Sequence, residues 1–340
     1  MPASELRLLV CSLGSIGRRH LQNLRALEPG SRIAVLRRPG SADDLPDGCD
    51  VMFTSLEEVQ AFAPFAAIVA GPATLREALA CELAAMGIHL LVEKPLAHDL
   101  ESGRRIVAAA EQAGVTLMVG YNLRFAATMQ AARDLIEQGA IGRVLSVRAE
   151  VGQFLPTWRP EQDYRQSVSA RPELGGGALL ELSHEIDLML WLFGKPDRVY
   201  ASVGRYSDLE IAVEDLAELI LEYDEPALVV SIHLDFLQQP AARSSKFIGS
   251  EGTLVWDAIS GRIECSGPAA LDHAALKSVT GGDRNAMYLE ELAHFLACAR
   301  TRSAPSISGA AGIEVLEVLQ AARRSAGEKR AVALRNPADA

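Results

Sequence analysis

Short apolar runs alternate with amphipathic segments over the first third of the chain. The apolar run at 6–10, the segment of helical periodicity at 15–27 and the apolar run at 32–36 form one β-α-β unit. Four more apolar runs follow up to residue 121, and helical segments precede the last three. Strands that are apolar on both faces and alternate with helices predict an α/β fold with a doubly wound parallel sheet.

The pattern changes after residue 121. A helix predicted over 124–142 is followed by longer segments in which apolar and polar residues alternate. These strands are predicted at 143–154, 198–206, 216–223, 227–237, 246–250, 253–257 and 262–265. Such alternation predicts a large, mostly antiparallel open sheet with one apolar and one mixed face. We therefore expect an N-terminal Rossmann domain over 1–121 and a C-terminal α+β domain over 122–340.

Composition and charge exclude several classes of partner. The 340-residue chain has a formal net charge of −11 and a pI near 5.2, which argues against nucleic acid and anionic membranes. Neither a signal peptide nor a run of about 18 apolar residues is evident, so we expect a soluble, cytoplasmic protein. The five cysteines are scattered and form no C-x-x-C pair, which predicts reduced thiols and no metal site.

The first β-α-β unit contains an incomplete phosphate-binding loop. The pattern Gly-x-Gly-x-x-Gly falls on Ser12, Leu13, Gly14, Ser15, Ile16 and Gly17, with serine in place of the first glycine. The two remaining glycines admit a pyrophosphate at the helix N-terminus and let helix and strand pack closely. The alternative is an ordinary glycine-containing turn.

The second apolar run ends in Arg37 and Arg38, where an NAD-specific site would have an acidic residue. Two guanidinium groups can bind a 2′-phosphate, so the sequence favours NADP, with NAD as the alternative. The pair could also be solvated surface charge. Ligands of such sheets bind outside the carboxyl ends of the strands. The other residues expected there are Gly71, Pro72, Ala73 and Thr74, then Glu93 and Lys94, then Asn122 and Arg124.

Five segments together resemble the Gfo/Idh/MocA family of nicotinamide-dependent sugar and polyol oxidoreductases. They are GSIGRRHLQNL at 14–24, GIHLLVEKPLA at 87–97, GYNLRF at 120–125, GGGALLELSHEIDLMLWLFG at 175–194 and YLEELAHFLACAR at 288–300. Two positions depart from the family pattern. Ser12 replaces the first loop glycine, and Arg76 stands where many members carry a histidine.

A helix predicted to start at Gly177 has an apolar side for the sheet and a polar side. That polar side contains Glu181, His184, Asp187 and Trp191, and is expected to line a cleft or, alternatively, to be an ordinary solvated face. The resemblance implies that this helix supplies a catalytic histidine, which His184 matches. In the family, an acid lies four residues before this histidine. That position is Leu180 in this chain, so Glu181, three residues before His184, is the candidate acid.

A long loop precedes this helix, at 154–177. Its aromatic and cationic residues, Trp158, Tyr164 and Arg165, suit a sugar ring with an anionic substituent, because long loops in compact domains tend to be functional. A charged lid without substrate contacts is the alternative. In the strand 227–237, His233 lies on the mixed face and is expected to be an interface or surface residue rather than a catalyst.

Together these features predict an NAD(P)-dependent dehydrogenase or reductase. The resemblance implies that Lys94 contacts the reacting oxygen, and our hypothesis is that it polarises or deprotonates the substrate hydroxyl. His184 would relay the proton, oriented by Glu181 or Asp187, while Asn122 and Arg124 would contact cofactor or substrate. A sugar, sugar acid, sugar nucleotide or polyol is the expected substrate. The resemblance also implies a homodimer or homotetramer through the open sheet face.

Two other functions remain open on the sequence. A non-catalytic nucleotide-sensing or regulatory protein can be built on the same fold, because fold alone does not imply chemistry. An enzyme that keeps its cofactor bound through a closed redox cycle is a third possibility.

Overall fold

The computed structural model describes residues 5–38, 45–267 and 283–334. The chain divides into two compact units, one formed by Met1–Asn122 with Tyr288–Ile313 and the other by Leu123–Met287 with Glu314–Ala340. The first boundary lies one residue from the predicted one. The assignment of all later residues to the second domain differs from this division, because the segment from Tyr288 returns to the first unit.

The first unit is built on a six-stranded parallel sheet in the order β3-β2-β1-β4-β5-β6, which is the Rossmann order. Its strands are β1 Arg7–Cys11, β2 Arg32–Leu36, β3 Val51–Phe53, β4 Ala66–Val69, β5 His89–Glu93 and β6 Leu117–Gly120. The connecting helices are α1 Ser15–Leu27, α2 Leu56–Phe62, α3 Arg76–Ala85 and α4 Leu100–Ala113. Strands β1, β4 and β5 are buried along almost their whole length, which confirms the predicted doubly wound sheet.

The second unit contains an eight-stranded sheet in the order β13-β12-β11-β7-β10-β9-β8-β14. Its strands are β7 Val144–Gly152, β8 Arg198–Gly204, β9 Leu216–Tyr223, β10 Leu228–Asp235, β11 Ala242–Gly249, β12 Thr253–Asp257, β13 Arg262–Ser266 and β14 Val332–Ala333. The helices are α5 Ala127–Glu137, α6 Ala178–Glu181, α7 His184–Phe193, α8 Ala286–Thr301 and α9 Gly309–Glu328, the last two shared between the units. Only β7 and β10 pair in parallel among the neighbouring strands described, so the sheet is mostly antiparallel, as predicted.

The two faces of the second sheet differ as the alternation predicts. Val230, Ile232 and Leu234 of β10 are fully buried on one face. On the other face, the half-buried His233 ring lies between two carboxylates, 2.7 Å from Asp235 and in contact with Glu218. These hydrogen bonds raise the pKa of His233 to about 9, mainly through Asp235. His233 therefore lies on the mixed face of the sheet, as expected.

Two kinds of feature are absent from the described residues. None of the helices in these residues is both long and apolar enough to cross a membrane. Nor do three or more His, Cys, Asp or Glu side chains gather there as a set that could hold a metal ion.

Candidate functional site

The phosphate-binding loop connects β1 to α1. Gly17 lies so close to the strand that a Cβ there would be 2.1 Å from the carbonyl oxygen of Ser12. Gly14 and Ser15, at the start of the helix, are exposed. An exposed helix N-terminus that begins next to a glycine fits a diphosphate group, because the first backbone N–H groups of a helix and its dipole favour an anion.

Ser12 has an unusual backbone conformation. Its φ is +78°, in the left-handed region where a side chain is strained, and the Cβ position of Gly71 lies 3.1 Å from its hydroxyl. This explains why a glycine is the usual residue at the first position of the loop. The serine adopts the same turn at an energetic cost.

Replacing Ser12 with glycine is expected to raise the free energy of unfolding by about 1 kcal/mol, because glycine accepts a positive φ without strain. Urea denaturation followed by circular dichroism measures the change. Ser15→Gly is the matched control, since Ser15 has helical geometry, and glycine there should lower stability by roughly 0.5–1 kcal/mol. If Ser12→Gly is no more stable than the unchanged protein, the backbone at Ser12 is not strained.

The end of β2 presents the two predicted arginines. Arg37 is half-buried and its backbone N–H donates to the carbonyl of Phe53 at 2.9 Å, while Arg38 is exposed. After β4, Gly71 and Pro72 lead into a short turn of 3₁₀ helix, Ala73–Leu75, which includes Thr74. The helix α3 then begins at Arg76.

The end of β5 contains the buried Glu93, which hydrogen-bonds to His20 and to the backbone of Lys94. Glu93 accepts a hydrogen bond from the fully buried His20 ring at 2.7 Å, and its other oxygen accepts the backbone N–H of Lys94 at 3.1 Å. Burial alone would raise the pKa of Glu93. The His20 hydrogen bond and the charges of Arg76 and Lys94 outweigh that effect and hold this pKa below its usual value. The Lys94 side chain is half-buried, and the Lys94–Pro95 peptide is cis.

Tyr288 is a residue of this edge that was not among the predicted site residues. It hydrogen-bonds the buried Asn122, and the Arg19 guanidinium lies over its ring at 4.5 Å. Burial raises the pKa of Tyr288, and the Glu93 carboxylate adds to the effect. The sequence signal that could have identified Tyr288 is its position as the first residue of the segment 288–300, which resembles the family. Its contacts with Asn122, 166 residues earlier in the chain, were not visible in the sequence.

In the second unit, the predicted single helix from Gly177 is two helices, α6 and α7, which meet at Leu182 and Ser183. Gly177 has a φ of +111°, and a side chain there would collide with Glu214. His184 is the first residue of α7 and is 9% exposed. Half-buried Glu181 accepts a hydrogen bond of 3.4 Å from the Ser169 hydroxyl. Of the predicted catalytic residues, α6 thus contributes Glu181, and α7 contributes His184 and Asp187.

Asp187 and Arg124 form a buried ion pair. The Asp187 oxygens accept hydrogen bonds from Arg124 Nε at 2.9 Å and from Arg124 Nη2 at 2.6 Å, and Asp187 is fully buried. Trp191 lies against the Arg124 guanidinium at 5.7 Å and against that of Arg133 at 4.5 Å. The alternative that this side of the helix is an ordinary solvated face is wrong for Asp187, because Arg124 offsets the cost of burying its charge.

The three substrate-binding residues predicted in the loop before α6 do not all lie in one place. Trp158 and Tyr164 line a small, open cavity together with Leu155, Arg159, Gln162, Ser167 and Ser169. Trp158 is fixed by a 2.9 Å hydrogen bond to the Gln153 carbonyl. Arg165 instead lies in exposed ion pairs with Asp163 and Glu210. Arg159 is thus the arginine that lines this cavity.

Comparison with known proteins places both units in one group. Residues 6–121 match the oxidoreductase family with an NAD-binding Rossmann fold, and residues 129–255 match the GFO/IDH/MocA C-terminal domain. The 1,5-anhydro-D-fructose reductase of Ensifer adhaerens is 29% identical over 67% of each chain. The myo-inositol 2-dehydrogenase of Thermotoga maritima is 24% identical over 97% of this chain and 98% of its own length.

Solved structures extend the similarity to the whole chain. The WlbA dehydrogenase of Bordetella pertussis, in complex with NADH and UDP-GlcNAcA, is 27% identical and superposes with a TM-score of 0.82. The alignment covers 98% of both chains.

Proposed function

Because the chain belongs to the GFO/IDH/MocA family of oxidoreductases, we propose that it transfers a hydride between a nicotinamide cofactor and a secondary hydroxyl or keto group of a carbohydrate. The observation that carries this proposal is the setting of Lys94. Its backbone is held by Glu93 directly after β5, at the carboxyl edge of the parallel sheet. Ligands of such sheets bind at that edge, so the Lys94 amine can contact the reacting oxygen.

The residues Ser12 to Gly17 would hold the cofactor diphosphate at the start of α1. The close packing of Gly17 on Ser12 and the exposed helix N-terminus support this assignment. When bound, the nicotinamide supplies hydride transfer at its C4 position. Asn122, held by Tyr288, would orient the nicotinamide or the substrate.

Two side chains would handle the substrate proton. Lys94 would polarise the hydroxyl or take up its proton, and His184 would relay that proton. Glu181 is the better candidate to orient His184, because both oxygens of Asp187 are already bonded to Arg124. We assign Arg124 and Asp187 to holding the first turn of α7, rather than to substrate contact or catalysis.

The cofactor proposed is NADP. Arg37 and Arg38 follow β2 at the position where a cofactor ribose would lie, and guanidinium groups suit a 2′-phosphate. The substrate proposed is a sugar acid or sugar nucleotide, since Arg159, Trp158 and Tyr164 line one cavity. The complex of the WlbA dehydrogenase with UDP-GlcNAcA supports the same class.

We also propose a homodimer or homotetramer formed through the mixed face of the second sheet. That face carries exposed apolar side chains, among them Tyr200, Ile220 and Val229, next to the charged group around His233. Exposed apolar residues on a large flat sheet are typical of a subunit interface.

Titrations of the protein with NADPH and with NADH, followed by nicotinamide fluorescence, test this function. We expect NADPH to bind about tenfold or more tightly, and Arg37→Ala/Arg38→Ala to remove that preference, because each lost charged hydrogen bond costs about 1.5–3 kcal/mol. Arg32→Ala is the matched control, since Arg32 lies exposed at the opposite end of β2 and should leave both affinities unchanged.

Equal affinities for the two cofactors would overturn the NADP assignment alone. Failure to bind either cofactor would overturn the proposed function. With the cofactor fixed, sugars, sugar acids and sugar nucleotides can be screened by the absorbance of the reduced nicotinamide.

A further inference from the structure

Arg76 is a buried cation to which the proposed reaction gives no role. It is 7% exposed, although arginine is rarely buried without strong partners. It begins α3, directly after the turn that follows β4. Its side chain therefore starts at one strand end and extends toward another.

The Arg76 guanidinium bridges two neighbouring strand ends. Its Nε donates to the carbonyl of Gly71 at 2.8 Å, after β4. Its Nη1 donates to the carbonyl of Glu93 at 2.5 Å and also to that of Pro95. The last two carbonyls belong to the residues on either side of Lys94. One rigid planar group thus fixes the backbone before and after the lysine.

The same backbone is held from a second direction. The carboxylate of Glu93 accepts the N–H of Lys94, and His20 fixes that carboxylate from within the core. Lys94 itself therefore needs no rigid side-chain contact for its Cα to be placed accurately. We call His20, Arg76 and Glu93 the lysine clamp.

We propose that Arg76, as part of the lysine clamp, is a positioning residue that sets where the Lys94 amine lies at the sheet edge. This inference rests on the proposed function, in which Lys94 acts on the substrate oxygen. Lysine cannot replace arginine here, because an ammonium is a point donor, whereas Nε and Nη1 are held apart in one plane. A shift of about 1 Å in a reacting group can cost a hundredfold in rate, so the position matters.

The test compares Arg76→Lys with Arg105→Lys, a control on the exposed ion pair between α4 and Glu77. For Arg76→Lys we expect kcat to fall about tenfold to a hundredfold, with the affinity for NADPH changed less than about threefold. Arg105→Lys should change neither. Arg76→His, which places at this position the residue typical of the family, is the second variant if Arg76→Lys does not fold.

A second readout does not depend on turnover. Trace acylation with acetic anhydride, followed by mass spectrometry of peptides, gives the reactivity of Lys94 relative to the exposed Lys329 over a range of pH. Arg76→Lys is expected to shift the Lys94 profile and leave that of Lys329 unchanged.

Unchanged kcat and an unchanged Lys94 profile in the folded variant would overturn the role of Arg76. Parallel losses of kcat, NADPH affinity and thermal stability would also overturn it, since they indicate a purely structural residue. If the unchanged protein oxidises no carbohydrate, the proposed function fails, and the acylation profile still decides whether Arg76 positions Lys94.

Discussion

Replacing Lys94 with alanine is expected to lower kcat about a thousandfold, within the range of roughly 10²–10⁴ that proton transfer by a positioned group contributes. The affinity for the cofactor should change little. The reason is that the backbone at this position is held by Glu93 and Arg76, and not by the lysine side chain. Truncation removes the amine and leaves the strand end in place.

Steady-state kinetics and the NADPH titration together measure this effect. Lys329→Ala is the matched control, because Lys329 is an exposed lysine directly after α9 in the second unit and should leave kcat unchanged. Lys94→Arg should be nearly as slow as Lys94→Ala, since an arginine keeps the charge and cannot give up its proton. A simultaneous loss of kcat and cofactor affinity in Lys94→Ala would make Lys94 structural.

The sequence predicted the strands and the sheet edge well because both depend on local pattern. The buried run at β5 ends at Glu93 in the structure, and the next residue is Lys94, as the periodicity indicated. Parallel strands place all their carboxyl ends on one edge of the sheet. The sequence alone therefore predicted that the loop at Ser12 to Gly17 and the residues after β4 and β5 lie at the same edge.

The burial of Asp187 was not predicted, because it depends on a contact between residues that are far apart in the sequence. The pairing of Arg124 with Asp187 spans 63 positions, and neither residue shows it locally. Periodicity therefore assigned Asp187 only to the polar side of the helix, as part of a cleft wall or of a solvated face. The break between α6 and α7 was missed because both halves keep the same apolar side, and the turn at Leu182 and Ser183 has no glycine or proline.

Arg76 shows the same limit at the candidate site. The sequence marked it only as a departure from a family pattern. The structure shows a bridge from Arg76 to the carbonyls of Gly71 and Glu93, and such a bridge to backbone groups leaves no trace in residue identity.

Replacing Asp187 with asparagine is expected to destabilise the second unit by about 3–5 kcal/mol, the usual cost of leaving one member of a buried ion pair uncompensated. Burial raises the pKa of Asp187 and the Arg124 guanidinium opposes that rise, so the pair depends on both partners. All three tryptophans, Trp158, Trp191 and Trp256, belong to the second unit. Their fluorescence during urea denaturation therefore reports the unfolding of that unit.

Two further variants distinguish the effect of breaking the buried pair from the effect of removing any charged residue. Asp224→Asn removes one partner of the exposed Arg198–Asp224 pair and should cost less than about 1 kcal/mol. The double variant Arg124→Met/Asp187→Leu should regain most of the stability lost in Asp187→Asn, because no buried charge remains. A cost below about 1 kcal/mol for Asp187→Asn would show that the pair does not hold α7. In that case His184, three residues earlier in the same helix, must owe its position to the packing of α7 on β7 and β10.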